Sequence, residues 1–215
     1  MNETVENLPP RKTPAGFHAI ILAAGRSSRM QREKSRLTWL EGKPLLLWMV
    51  DALSGAGWQT TTVTGPESFA YWKAMLPVDC AVLNPDPARG KTSSLACGVE
   101  KLPADAKWIL ISAVDQPCLP AVYHRLRQAA AVQSAKIILP TSEGSRGHPV
   151  VLAGSLRDEL LALDENSHGL RGLLDSRRPE TYRLPDGDPA ECQWDLNTPD
   201  AYKEALAWFQ KHLPS

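Results

Sequence analysis

The run Ala19-Ile20-Ile21-Leu22-Ala23 is apolar at every position and ends in the loop Ala24-Gly25-Arg26-Ser27-Ser28-Arg29. Unbroken hydrophobicity without alternation is the pattern of a strand covered on both faces, as in a parallel sheet. A parallel sheet needs helical crossovers, and the rest of the chain supplies them. Leu45, Trp48, Met49, Ala52 and Leu53 recur at helical spacing, with Pro44 at the first turn and Gly55 or Gly57 at the end. Thr60–Val63 reads as a strand, Glu67–Leu76 as a helix, Cys80–Leu83 as a strand and Thr92–Leu102 as a helix. Trp108–Val114 is a second strongly apolar strand, and Ala121–Ala131 is helical with Val122, Leu126 and Ala129 on one face.

Further on, Lys136–Leu139 and Pro149–Leu152 are strand-like around the turn Glu143-Gly144. Ser155–Leu163 and Gly169–Asp175 read as short helices, and Thr181–Leu184 and Cys192–Asp195 as edge strands. Thr198-Pro199-Asp200 opens the last helix with a cap residue, a proline at the first helical position and an acid at the positive end of the dipole. Its buried face is Tyr202, Ala205, Leu206 and Phe209. Alternating strands and helices imply a mostly parallel sheet with helices on both faces. Such sheets bind ligands beyond the carboxyl ends of their strands, here the loops after Ala23, Val63, Leu83 and Val114.

Composition narrows the function. Lysine and arginine total 24 against 24 acids, so the chain lacks the basic excess of a phosphate-coating nucleic-acid binder. At 43% hydrophobic residues it can bury a core, and no apolar run reaches the roughly 20 residues of a membrane span. Cys80, Cys97, Cys118 and Cys192 are too scattered for a zinc or disulfide framework, which fits a reducing cytoplasm. Residues 1–16 lack a signal-peptide core and read as a mobile tail ahead of a single domain, 17–215.

Charge is distributed unevenly. Between Gly25 and Lys43 stand six basic residues (Arg26, Arg29, Arg32, Lys34, Arg36, Lys43) and only two acids (Glu33, Glu41). Small residues that let backbone N–H groups approach, joined to Arg and Lys, suit a phosphate-rich ligand; a solvated basic loop is the plainer alternative. Gly90-Lys91-Thr92 is not the end of a P-loop, because Pro85 stands where that motif needs glycine. Gly55-Ala56-Gly57 follows a helix and lacks the third glycine of a dinucleotide fingerprint. Asp115, at the tip of a central strand, is suited to Mg²⁺, which takes one or two carboxylates and completes its shell with phosphate and water. Asp195 and Asn197 form a second oxygen-rich cluster. His18, His124 and His212 read as structural or surface groups, whereas His148 in a turn and His168 beside Arg171 are candidates for ligand contact. No serine-nucleophile or zinc-protease motif is present.

These motifs together resemble the nucleotidyltransferases of molybdenum-cofactor maturation, and most closely the cytidylyl branch. The family pattern Leu-Ala-Ala-Gly-x-Ser-x-Arg-Met-Gly-x-x-Lys is matched by Leu22 through Met30 and by Lys34, with Gln31 replacing the last glycine. Asn84-Pro85-Asp86, Gly90 and Ser94-Leu95 resemble the segment that contacts base and ribose. Asp115-Gln116-Pro117 resembles the metal-binding Asp-x-Pro, and Asp195-Leu196-Asn197-Thr198-Pro199 the Asp-x-Asp-Thr-Pro motif with Asn as second ligand. Arg146-Gly147-His148-Pro149-Val150 resembles a turn typical of the cytidylyl branch, and Asn166 to Arg171 departs from the family's Gly-Asp-x-Gly-Ala-Arg.

The resemblance implies a Rossmann-like three-layer α/β/α fold of the nucleotide-diphospho-sugar transferase type, mostly parallel with an antiparallel edge strand. It implies transfer of CMP or GMP from the triphosphate to the phosphate of a molybdopterin-type acceptor, with Mg²⁺ and release of pyrophosphate. Arg29, Lys34 and Asp115 would be catalytic. Leu22, Ala23, Ala24, Gly25, Ser27, Arg29, Lys34, Gly65, Asn84, Gly90, Ser94 and Asp115 would hold the nucleotide. His148 and Arg171 would face the acceptor, and Asp115, Asp195 and Asn197 the metal. The guanylyl branch carries Leu-Ala-Gly-Gly where this chain has Leu22-Ala23-Ala24-Gly25, so the Ala24 methyl points to CTP as substrate. A client molybdoenzyme or its chaperone would receive the product. A sugar-phosphate acceptor, or a pterin carrier without catalysis, is the alternative.

Overall fold

The computed structural model describes residues 16–25, 33–142, 145–177, 180–183 and 192–213. Arg29 and Ser27, with the rest of the loop through Arg32, lie outside the described residues, as do the tail before Gly16 and the turn Glu143-Gly144. The strands are β1 (Phe17–Ala23), β2 (Gln59–Thr64), β3 (Ala81–Leu83), β4 (Trp108–Ala113), β5 (Ile137–Ser142), β6 (Ser145–Arg146), β7 (Val150–Ala153) and β8 (Glu180–Arg183). The helices are α1 (Leu45–Gly55), α2 (Pro66–Met75), α3 (Lys91–Lys101), α4 (Pro120–Val132), α5 (Arg157–Leu161), α6 (Gly169–Ser176) and α7 (Pro199–His212). One sheet runs β3-β2-β1-β4-β7-β5, with β8 against the far side of β5.

The pairs β1–β2, β1–β4, β2–β3 and β5–β8 are parallel, and β7 runs antiparallel to both β4 and β5. The mostly parallel architecture expected from the sequence is the one observed. Its antiparallel strand lies inside the sheet, and the edge belongs to β8. Cys192–Asp195, expected to form an edge strand, is irregular. Its backbone crosses the carboxyl ends instead: the Cys192 carbonyl accepts from His148 N, and Leu196 N donates to the Asp115 carbonyl, both at 2.8 Å. Those bonds make it a brace across the site.

Alternation along β1 divides the core. Ala19 and Ile21 pack with residues of α1, α4 and α7, whereas Ile20 packs with Leu95 and Val99 of α3. Helix α1 is buried almost all round, through Leu45, Leu46, Trp48, Met49, Val50, Ala52 and Leu53. Helix α7 begins as its sequence dictates, with Thr198 Oγ1 accepting from Ala201 N at 3.2 Å. Phe209 then seats edge-on against Trp39 and Trp48, with ring centroids 5.3 and 5.6 Å away. Among the described residues no helix is long and apolar enough to cross a membrane.

Helix α3 lies unusually close to the sheet because Gly98 faces it. A Cβ there would stand 2.7 Å from Ile20 Cγ2 and 3.1 Å from Val63 Cγ2, both buried. Gly98→Val should therefore lower unfolding free energy by about 1–3 kcal/mol through overpacking. Urea unfolding measures it; an unchanged midpoint would mean that α3 can retreat freely.

Candidate active site

The strands β1 and β4 end side by side, and the chain leaving each one opens onto a cavity of about 400 Å³. Its walls include Leu22, Ala23, Ala24 and Gly25 at the end of β1 and just beyond it, Ala113, Val114 and Asp115 likewise at β4, and Gly90, Lys91 and Ser94 at the start of α3. Glu33, Lys34, Ser35 and Asn197 complete them from other parts of the chain. The start of α3 turns a positive dipole end toward this rim, with the Thr92 N–H already taken by Glu165 Oε1 at 2.7 Å.

Lys34 Nζ donates to Asp115 Oδ2 and to Asn197 Oδ1, each at 2.7 Å. The Lys34 and Asp115 side chains are only 13% and 21% exposed, so solvent screens the pair less than a surface ion pair. Asp195 stands outside this arrangement: it is exposed, and its Oδ1 accepts from Gln116 Nε2 at 2.8 Å. The structure thus joins Asp115 to Asn197 and turns Asp195 toward Gln116.

The segment bearing Lys34 is held by the residues flanking it. Trp72 of α2, fully buried, donates its indole N–H to Ser35 Oγ at 3.1 Å and to Glu33 Oε1 at 3.2 Å. Ser35 Oγ also donates to Glu33, whose other oxygen pairs with Arg36 Nε at 2.8 Å. One indole therefore ties both neighbours of Lys34 to the core.

The other sequence candidates divide into contacts and supports. Ser94 lines the cavity, but Asn84 is buried and fully engaged. Its amide donates to Ser93 Oγ and Ser94 Oγ at 3.0 and 2.8 Å, and its oxygen accepts from Asp86 N at 3.0 Å. Asn84 shapes the loop ahead of α3. Gly65 lies just behind the wall, since a Cβ there would be 3.3 Å from Pro87 Cγ and 3.6 Å from the Ala24 carbonyl. Arg171 is 87% exposed and near Asp175, away from the cavity walls.

His148 sits in a bulge. Between the pairs Ile138↔Val151 and Thr141↔Arg146 the β6–β7 side carries more chain than β5, and the excess holds Gly147, His148 and Pro149, with a cis peptide between the last two. Burial pushes the imidazole below its ordinary value; Asp195 and Asp115 pull it upward and Lys91 pushes it down. His148 is thus near the acidic end of the site although it does not line the cavity.

Sequence reasoning overlooked Lys91, Trp72 and Glu165. Lys91 belongs to a run that fails as a P-loop, yet its position at a helix start after β3 is a usable signal. Glu165 Oε1 accepts from Thr92 N at 2.7 Å and covers Gly90, whose φ of +99° only glycine adopts readily. No local pattern marks that pairing.

Residues 19–181 match the MobA-like NTP transferase domain. The chain belongs to that family. It is a nucleotidyltransferase. A molybdenum cofactor guanylyltransferase of Rhodopseudomonas palustris (strain HaA2) is 32% identical over 203 residues, covering 89% of this chain and 92% of that protein. The crystal structure of Rv0371c from Mycobacterium tuberculosis H37Rv superposes with a TM-score of 0.73 at 25% identity, over 89% of this chain and 97% of that one. A manganese complex of Rv0371c superposes with a TM-score of 0.68 at 24% identity, over 89% and 98% of the two chains.

Two outcomes follow for this family member. Trp72→Phe removes the N–H together with part of a fully buried ring system, so it should cost about 1 kcal/mol for the hydrogen bonds and about 1–3 kcal/mol more for the cavity left behind. Turnover should fall by more than that loss explains, because Lys34 loses its fixed base; parallel denaturation and kinetics compare the two, and unaltered turnover would deny the anchor a role. His148 binds its proton more weakly folded than unfolded, so its stabilising contribution is present above pH 6.5 and lost as pH falls from there toward the folded pKa. His18, also lowered by burial, acts in the same direction. Melting temperature should therefore drop between pH 7 and 5, and drop less in His148→Gln; identical slopes would remove His148 from the account.

Proposed function

We propose that this enzyme moves a nucleoside monophosphate, CMP by preference, from its triphosphate to the phosphate of a molybdopterin-type acceptor. The observation that carries the reading is the cavity at the ends of β1 and β4, in which Lys34, Asp115 and Asn197 meet. An oxygen of the acceptor phosphate attacks the α-phosphorus, a new P–O bond forms, and the bond to the β-phosphate breaks as pyrophosphate leaves. The acceptor is already anionic, so the site needs no strong general base. It must hold two repelling anions in line and neutralise charge on the leaving group. Lys34 and Lys91 at the cavity wall, together with the positive end of α3, Arg29 and Ser27, are proposed to do that work.

Asp115 Oδ2 and Asn197 Oδ1 flank one cationic position, occupied here by an ammonium, and both are hard oxygen donors. They fit Mg²⁺ or a similar ion. Among the described residues no three His, Cys, Asp or Glu side chains converge as a self-sufficient metal site, which suits an ion that completes its shell with phosphate and water. Such an ion would supply charge neutralisation between nucleotide and acceptor. Asp195, hydrogen-bonded to Gln116, is proposed to steady this pair from outside, and His148 with Arg171 to border the acceptor side.

Base choice rests on Ala24, buried in the cavity wall, whose methyl narrows the space beside a base. A pyrimidine fits that space better than a purine. The guanylyltransferase name of the Rhodopseudomonas relative favours GTP as a second reading. Measuring kcat/KM for CTP and GTP with one acceptor separates the two. CTP should lead, and Ala24→Gly should relax the preference; equal or better use of GTP assigns the chain to the guanylyl reaction. Asp115→Asn should abolish pyrophosphate release with molybdopterin-type and sugar-phosphate acceptors alike, without unfolding the chain. Near-normal release at limiting Mg²⁺ would take Asp115 out of the reaction.

A further inference from the structure

The cation between Asp115 and Asn197 is part of the protein itself. Lys34 Nζ lies 2.7 Å from each oxygen, in a place where the side chains are mostly withdrawn from water. A divalent ion binds carboxylate oxygen at about 2.0–2.1 Å when it is Mg²⁺, so it would contact the oxygen that now holds the ammonium. Two cations that close, poorly screened, repel strongly. They cannot both occupy the position between Asp115 Oδ2 and Asn197 Oδ1.

We propose that Lys34 is a place-holder for the divalent ion: ammonium and metal are alternative occupants of the Asp115–Asn197 position, and the ion binds well only once an anionic nucleotide has drawn the ammonium away. The inference rests on the reading of Asp115 and Asn197 as metal ligands. Lysine suits the exchange, being a compact charge on a flexible four-carbon stem. The backbone beneath it does not need to move, because Trp72 fixes Glu33 and Ser35 on either side. The side chain need only turn toward the cavity it already lines, where Lys91 and the start of α3 would hold a phosphate chain.

The device has a chemical use. A carboxylate facing an anion-binding cavity would repel the triphosphate before metal arrives, and the ammonium cancels that charge in the ligand-free enzyme. By linkage, nucleotide that releases Asp115 raises metal affinity by the same factor that metal raises nucleotide affinity. The two ligands then enter together more readily than either alone. Lys34 would thereby serve as a positioning residue for the metal as well as a partner of phosphate.

Binding of Mn²⁺ alone to the full chain, without nucleotide, tests this through the paramagnetic resonance signal of the free ion. Lys34→Met should bind Mn²⁺ about tenfold or more tightly than wild type, within the usual range of site coupling. Lys34→Arg, which keeps the charge, should bind as weakly as wild type. Adding Asp115→Asn to Lys34→Met should erase the gain. Circular dichroism checks folding, and Lys34→Gln replaces Lys34→Met if the latter is unstable. Lys34→Met binding no tighter than wild type overturns the place-holder, as does a gain that survives Asp115→Asn. Turnover of Asp115→Asn reports separately on the proposed reaction, so loss of turnover without a Lys34→Met gain sinks the place-holder and leaves the metal ligands standing.

Discussion

One ammonium joins three parts of the chain that are far apart in sequence. Lys34 reaches Asp115 across 81 positions and Asn197 across 163, and both bonds are short. Breaking a largely buried pair by removing one partner leaves a charge uncompensated, which costs far more than the pair contributes when whole. The positions of the Lys34 segment, the end of β4 and the segment before α7 must therefore agree for any of these groups to be satisfied. Their agreement forms the cavity floor.

The rest of the architecture secures that agreement. Parallel pairing brings β1 and β4 to a common end, and the Leu196 N to Asp115 carbonyl bond draws the last segment over it. The close seat of α3 at Gly98 delivers a helix start to the opposite wall. Trp72 is the least obvious contributor. Its ring belongs to the core, while its N–H governs a loop at the surface, so burial and chemistry are joined in one side chain. A scaffold with these features supplies charge and orientation, which are what phosphoryl chemistry asks of a protein.

Much of this was legible in the residues. The unbroken apolar run at Ala19–Ala23 and the run at Trp108–Val114, interrupted only by Ser112, identify central strands because a doubly covered strand is apolar on both faces. The Thr198-Pro199 start of α7 is equally plain, since capping is a local matter. Cys192–Asp195 misled because Cys192 is buried and Trp194 half-buried by crossing the strand ends, a tertiary arrangement with no period of its own. Asn84 could be placed near the site but not given its role, because hydrogen bonds to Ser93 and Ser94 depend on how the loop folds back. Asp195 and Asn197 stand two residues apart, and the sequence does not distinguish which of them faces Lys34. The link between Trp72 and the Lys34 segment crosses between elements and leaves no trace in spacing.

The contact between Glu165 and Gly90 bears on how relatives of this chain can diverge. A Cβ at position 90 would stand 2.4 Å from Glu165 Oε1, and the backbone there has a left-handed φ. While Glu165 stands there, position 90 is not free to drift. A lineage that lost the glycine would have to re-route the loop before α3 and withdraw the acid at 165 in the same interval, although more than seventy residues separate them. A homologue with a bulky residue at 90 should consequently carry a shortened or displaced segment around 165, whereas loss of the acid alone is compatible with the glycine. Family history would then record a contact that no stretch of either segment reveals by itself.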